Sequence, residues 1–357
     1  MADEHKHEHK SGHSHGHEHE HEHGHEHHEE KHGHSHDAYG HDHEHEAHGH
    51  SHGHDTHEHG HDHAHAAEHE HEHKHDHGHS HDHGHEHGHS HGHDHTSRFK
   101  DPAHAAEFDQ RGMSDMRSQL TVKLIEALTL KGGEAILDLA TGTGRVARPL
   151  SKQMQSGRIV GVDEALAMLD VGHHHKDPIE RYELSAGEAD KLPFKSGLFD
   201  RAFVSFSLHH FGNPAGVVGE VLRVLKPSGR FVVLDPVIEE SKDAIDVALE
   251  AKINQVFRRT HGEGFRFHTV SSIERLLTKA GYRVPRKSVI SYPFNQEGMD
   301  GIPTGRHWLE AALELEKEAP ELAERMKKNY FTWHSHGDHA HVRGSFSYAL
   351  ITGVKPA

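Results

Sequence analysis

The chain is 357 residues long with a formal charge of −18, and histidine is its outlier: 41 of the 54 His fall in residues 1–97, with 23 acidic and only 4 basic residues. The other 260 residues hold 34 acidic and 35 basic side chains, so the negative charge belongs to the tail and the body offers no general basic field for nucleic acid. The absence of Cys excludes disulfides, thiolate metal sites, Fe–S clusters and a cysteine nucleophile. No run of about 18 apolar residues and no basic-then-apolar leader is present, which predicts a cytoplasmic chain without a membrane span.

Residues 1–97 contain almost no Leu, Ile, Val, Phe or Trp, and so cannot offset the ~1–2 kcal/mol per residue lost in ordering a backbone. They are expected to form a disordered tail ahead of a folded domain at 98–357. Runs such as His13, His15, His17 and His75, His77, His79 repeat His at every second position, which in an extended chain sets the imidazoles on one side. Neutral imidazoles converging in this way suit zinc, nickel, copper or cobalt, and acidification below the His pKa of ~6.5 would release the ion. A solubilising low-complexity tract is the alternative. In composition the tail resembles the His-rich stretches of nickel metallochaperones and zinc transporters, which implies metal storage or delivery, though uniform spacing selects no particular metal.

Along the body the pattern predicts a helix at 116–130, a strand at 134–139, a helix at 144–155, a strand at 158–162 and a short helix at 164–171. Strands at 182–185 and 199–206, a helix at 214–225 and a strand at 230–234 follow. Alternating strands and helices imply a mostly parallel sheet covered on both faces, with ligands bound beyond the C-terminal strand ends. Helices at 242–259 and 270–280, a charged helix at 308–330 interrupted near Pro320, and a last strand at 346–354 complete the reading.

The first strand runs into Asp138-Leu139-Ala140-Thr141-Gly142-Thr143-Gly144-Arg145, a turn whose glycines let backbone and a helix N-terminus approach a ligand. Asp163 ends the second strand, where a carboxylate can accept both hydroxyls of a ribose. Gly142 and Gly144 alone would also suit a dinucleotide, and Asp138 alone could be a turn cap. Further along stand Gly187-Glu188-Ala189-Asp190-Lys191-Leu192-Pro193-Phe194, Phe199-Asp200, Ser205-Phe206-Ser207-Leu208-His209-His210-Phe211, and a segment from Glu220 to Arg230.

These motifs, in this order, resemble the class I S-adenosylmethionine-dependent methyltransferases, and more narrowly the group of ubiquinone and menaquinone C-methyltransferases. The resemblance covers 110–235 well and 236–340 loosely, 236–343 being the less typical region with lid or acceptor-binding helices. It implies a Rossmann-like α/β sheet, mostly parallel with an antiparallel last strand, and a helical lid. It implies S-adenosylmethionine as cofactor and a small-molecule methyl acceptor, quinone-like or otherwise aromatic. Asp138, Ala140, Thr141, Gly142, Thr143 and Gly144 would hold the methionine part of the cofactor and Asp163 its ribose. Glu188 and Ala189 would lie against the adenine, and Ser205 is a further residue expected to bind the cofactor. Glu188 stands where Asp is usual and Ser228 where Gly is usual, the latter in a turn remote from the cofactor.

Methyl transfer from a sulfonium has a neutral leaving group, so the protein mainly aligns acceptor and methyl and excludes water; a base is needed only where the acceptor must lose a proton. His209 and His210, after the fourth strand, are the candidate bases, with packing or capping as the alternative. Phe257, Phe265, Phe267, Tyr292, Phe294, Trp308 and Trp333 supply aromatic surface in the lid, mostly as core and in part as acceptor wall. His334, His336 and His339, with Asp338 or His341, form a second candidate metal site. His173-His174-His175 reads as a solvated loop, and Leu192-Pro193-Phe194 as wall packing. A metal storage or delivery protein with a non-catalytic cofactor-binding body is the alternative function, and an NAD-dependent oxidoreductase a third.

Overall fold

A computed structural model of the chain describes residues 99–357 except Pro303, Gly337 and Asp338, with side chains omitted at 335–339. The tail, and with it the candidate ligands His13, His15, His17, His75, His77 and His79, lies outside the described residues. In chain order the elements are α1 (Pro102–Gln110), α2 (Asp115–Leu128), β1 (Ala135–Leu139), α3 (Ala147–Ser151), β2 (Arg158–Asp163), α4 (Leu166–His173), β3 (Tyr182–Ala186) and β4 (Phe199–Ser205). A 3₁₀ turn at Leu208–His210 leads to α5 (Pro214–Val224), β5 (Leu225–Val237), α6 (Ala244–His261), α7 (Val270–Ala280) and β6 (Arg283–Glu297). Then come α8 (Gly305–Glu318), α9 (Pro320–Asn329), β7 (Phe331–His336) and β8 (His339–Val354).

One sheet runs β3-β2-β1-β4-β5-β8-β6, with β7 also paired to β8. Strands β1 to β5 pair in parallel, and β8 runs antiparallel to β5, β6 and β7. Burial on both faces explains why Ile136–Leu139 and Ile159–Val162 are near-continuous apolar runs rather than alternating ones. On one face Leu120 and Leu124 of α2, with helices α6, α8 and α9, pack on Ile136, Phe203 and Leu234. On the other, Val217 and Val221 of α5 and Ile273 and Leu277 of α7 cover Leu137, Val204 and Phe231. Helix starts follow their caps: Ser114 accepts from the Arg117 N–H, Asn213 from the Gly216 N–H ahead of a Pro at the first position, and Thr269 and Ser272 form a capping box. Among the described residues no helix is long and apolar enough to cross a membrane.

Several predicted elements differ from those observed. The helix expected at 144–155 is α-helical only over Ala147–Ser151; Arg148 donates to the Gly144 carbonyl and Leu150 to that of Val146, and Pro149 between them has no N–H to give. The strand at 230–234 is longer, Leu225–Val237, with a register shift that bulges out residues 226–229; Ser228 sits there at φ 60°, in the left-handed region that favours glycine. The last strand begins at His339, and α1, β6 and β7 were not expected. Strand β6 lies at the sheet edge with most side chains exposed and carries two prolines; its burial alternates only in the second half, where Ile290, Tyr292, Phe294 and Gln296 are the less exposed residues.

Candidate cofactor and acceptor cavity

A cavity of about 770 Å³ opens where the C-terminal ends of β1, β2 and β4 meet helices α1 and α2, within the ~300–1,000 Å³ range of ligand sites. Asp138, Ala140, Thr141, Gly142, Asp163, Glu188, Ala189, Ser205, His209 and His210 all line it. Thr143 and Gly144 are brought near but stand behind the turn. The buried Thr143 hydroxyl donates to Asp109 of α1 at 2.6 Å, and a Cβ at Gly144 (φ 78°) would meet Ile179 at 2.9 Å. Their part is to shape the turn. Ala140 at φ 54° and Phe206 at φ 54° are non-glycine residues in left-handed conformation just beyond β1 and β4, the local strain that tends to gather at functional sites.

The turn is wired to both neighbouring strands. Asp138 Oδ2 accepts from the Thr141 hydroxyl at 2.6 Å, and that hydroxyl lies 2.6 Å from the Tyr182 hydroxyl of β3. Burial pushes the Asp138 carboxyl up to about 7, and the Thr141 bond opposes it. Asp163 accepts from the Gly142 N–H at 2.8 Å and from the Ala165 N–H at 2.9 Å; burial raises its pKa against those two bonds. Gly161 leaves room for the Tyr182 ring: a Cβ there would come within 2.4 Å of the hydroxyl. The exposed Glu188 pairs with Lys191, 3.0 Å away, and lines the expected adenine side together with Gly187, Ala189 and Asp190.

On the opposite wall, His209 Nδ1 lies 3.0 Å from both carboxylate oxygens of Asp235 at the end of β5; Asp235 also accepts from the Leu208 and His209 N–H groups. Burial lowers the His209 pKa, with Arg117 adding to the effect, and raises that of Asp235. The imidazole is therefore neutral at pH 7. The carboxylate oxygens already accept two amides, so Nδ1 carries the ring hydrogen toward Asp235 and Nε2 is left as the ring's acceptor, its basicity weakened by the same burial. His210 is likewise held neutral by burial.

Arginines fill the remaining flank. Arg145 stacks over Phe108 of α1 at 3.6 Å, and its Nε and Nη2 are buried without a hydrogen-bond partner among the described residues. Burial and the neighbouring Arg117 draw its pKa down to about 10, which leaves it ionised. Arg117 lies over Phe206 at 4.5 Å. Asp235, Arg117, Arg145 and Asp109 were missed in the sequence. Asp235 had a signal, an acid closing the apolar strand Phe231–Leu234, as Asp138 and Asp163 close theirs.

Of the seven lid aromatics, Phe267 and Trp308 line the cavity and the others pack in the core or beside it. Leu192 is buried and Phe194 packs edge-on against Phe199, as expected of a wall. His175 departs from the expected solvated loop: its Nε2 sits 3.2 Å from Asp109, while His173 and His174 are exposed. Among the described residues no group of three or more His, Cys, Asp or Glu is arranged to hold a metal. The exposed His334 pairs in register with His341, whose ring nitrogens bond Glu297 and Asn295; the side chains of His336 and His339 lie outside the description.

Comparison with known proteins agrees with this geometry. The family described as "Methyltransferase domain" matches residues 137–233. A demethylmenaquinone methyltransferase of Corynebacterium kroppenstedtii is 42% identical over 105 residues, 29% of this chain and 43% of that protein. A ubiquinone/menaquinone biosynthesis C-methyltransferase of Stutzerimonas stutzeri is 29% identical over 56% of this chain and 75% of that protein. Against most of these relatives the chain spans less than half of the relative's length. Among solved structures, a Bacillus halodurans C-125 protein described as a methyltransferase shares the fold, with TM-score 0.54 and 23% identity over 66% of this chain and 99% of that one. Residues 137–233 of the chain accordingly match the methyltransferase-domain family, and the fold around them is one shared with a solved structure described as a methyltransferase.

Proposed function

We propose that this protein transfers the methyl group of S-adenosylmethionine to a small aromatic acceptor, quinone-like as in the biosynthetic relatives. The observation that carries the reading is that Asp138, Gly142 and Asp163 share one cavity with the His209–Asp235 pair. The residues present suit the cofactor. Asp138 and the Gly142 backbone fit its amino-acid ammonium end, and the two unpartnered nitrogens of Arg145 fit its carboxylate. Asp163, with lone pairs left after two amides, fits the ribose hydroxyls, and Ala189 with Glu188 the adenine edge. Ser205, on the cavity wall at the β4 end, would stand beside the bound cofactor.

When bound, the cofactor supplies an electrophilic methyl on a sulfonium that departs as a neutral thioether. His209, its basicity lowered by burial, accepts the hydrogen bond of an acceptor hydroxyl at Nε2 and takes its proton only as the methyl is transferred, when that hydroxyl becomes strongly acidic, while Asp235 holds Nδ1–H and so fixes the ring. Phe206, Phe267 and Trp308 exclude water and pack an aromatic ring. His210 borders the same space as a second imidazole. Calorimetry with S-adenosylmethionine, its demethylated product and NAD tests the reading: micromolar binding of the first two is expected, and binding of NAD alone would overturn it.

The tail, residues 1–97, is proposed to bind zinc or nickel on its alternating imidazoles, a reading supported by its sequence. The domain from 98 onward is proposed to bind cofactor without it. If cofactor binding without turnover accompanied tight metal binding, metal storage or delivery would replace catalysis as the function.

A further inference from the structure

Arg117 occupies an unfavourable position for a cation. It stands in the first turn of α2, where the helix dipole opposes positive charge, and its guanidinium lies on the cavity wall over the Phe206 ring. It makes neither a hydrogen bond nor an ion pair through its side chain among the described residues. Arginine stays ionised at any physiological pH, and a partly desolvated cation without an anion is costly. Burial depresses its pKa, as expected of a guanidinium held out of water without a counter-ion.

Arg145 is a second such guanidinium in the same cavity, close enough for the two charges to repel. Two cations with open donors call for two anionic groups. Arg145 directly follows the glycine turn and so belongs to the cofactor's carboxylate, an assignment that rests on the methyltransferase reading. Arg117 lies over a different ring from Arg145, Phe206 rather than Phe108. It stacks on Phe206 beyond β4, and its charge is felt by His209, His210 and Tyr348 of β8, the groups around the acceptor space.

We propose that Arg117 is an acceptor-specificity residue that binds a carboxylate on the substrate, so that the methyl acceptor is an aromatic acid. The acid's ring packs against Phe206 and Tyr348, whose centroids are 5.8 Å apart, and its hydroxyl or activated ring carbon faces His209. The planar guanidinium fork matches a carboxylate bidentately, which a neutral amide of the same shape cannot reproduce.

The test is calorimetry on the full chain saturated with S-adenosylhomocysteine, titrated with para-hydroxybenzoate and, separately, para-hydroxybenzamide. The acid should bind at least about tenfold tighter than the amide, the scale of one charge-assisted contact. Arg117→Gln should abolish that preference and Arg117→Lys retain part of it, with S-adenosylhomocysteine affinity changed by less than about threefold in both. Equal binding of acid and amide to the unaltered protein would overturn the proposal. So would an Arg117→Gln protein that keeps the preference but loses cofactor affinity, since Arg117 would then serve the cofactor. If S-adenosylhomocysteine fails to bind at all, the methyltransferase reading falls, and the acid-to-amide ratio on the unloaded protein still decides the anion subsite.

Discussion

His209 and Asp235 meet through one ring nitrogen and both carboxylate oxygens, at 3.0 Å each, across the ends of two adjacent parallel strands. Because Asp235 also receives two backbone amides, it fixes the 3₁₀ turn and the imidazole tautomer at once. Asp235→Asn should lower kcat by about a hundredfold or more, the scale of general-base catalysis, while S-adenosylhomocysteine affinity stays within about threefold. Equal losses of kcat and cofactor affinity would mark Asp235 as purely architectural.

Cofactor affinity should depend on pH through Asp138. Its folded-state pKa is raised to about 7, so the group favours the folded protein most below the ordinary carboxylate range and that contribution is lost as pH rises through about 7. The ionised form is the one that attracts an ammonium. Binding of S-adenosylhomocysteine should therefore weaken about tenfold per pH unit below about 7 and level off above it. In Asp138→Asn the curve should be flat at the weak end; calorimetry across that range checks both.

The Tyr182 ring lies in the space that Gly161 leaves. Gly161→Ala puts a Cβ within 2.4 Å of the hydroxyl and 2.8 Å of the Thr141 methyl, and should cost about 1–3 kcal/mol by overpacking. Removing the hydroxyl as well, in Gly161→Ala with Tyr182→Phe, should recover part of that loss in a denaturant titration. Additive losses would show that the two residues do not compete for space.

Ser228 holds a left-handed backbone that costs a non-glycine residue about 1 kcal/mol. Ser228→Gly should raise the Tm by about 2–4 °C, read by thermal scanning, without altering cofactor affinity.

Residues 98–357 expressed alone should fold, keep S-adenosylhomocysteine affinity and lose most bound zinc or nickel, measured by equilibrium dialysis of both forms. Loss of activity on both truncation and chelation would make metal a participant in the reaction.

The sequence carried the Rossmann half of the fold because β1, β2 and β4 are short and largely buried, with Asp138 and Asp163 closing apolar strands. It was silent where packing is one-sided: β6 is an exposed edge, and α1 carries only a few apolar residues, which meet the cavity from outside. The helix after the glycine turn was overextended because its apolar residues suit a helix while Pro149 withholds one donor. Arg117 was not legible because its meaning lies in the Phe206 ring beside it in space, and Asp235, although it closes an apolar strand, because its partner His209 is 26 residues away in sequence.

A single carboxylate, that of Asp109, joins α1 to the rest of the molecule on two sides, taking the Thr143 hydroxyl on one oxygen and facing His175 from the other. Phe108, its neighbour in α1, covers Arg145. For a cofactor bound behind Phe108, as proposed above, Asp109 would act on residence time rather than affinity: loosening it would accelerate both directions of exchange and leave their ratio nearly untouched.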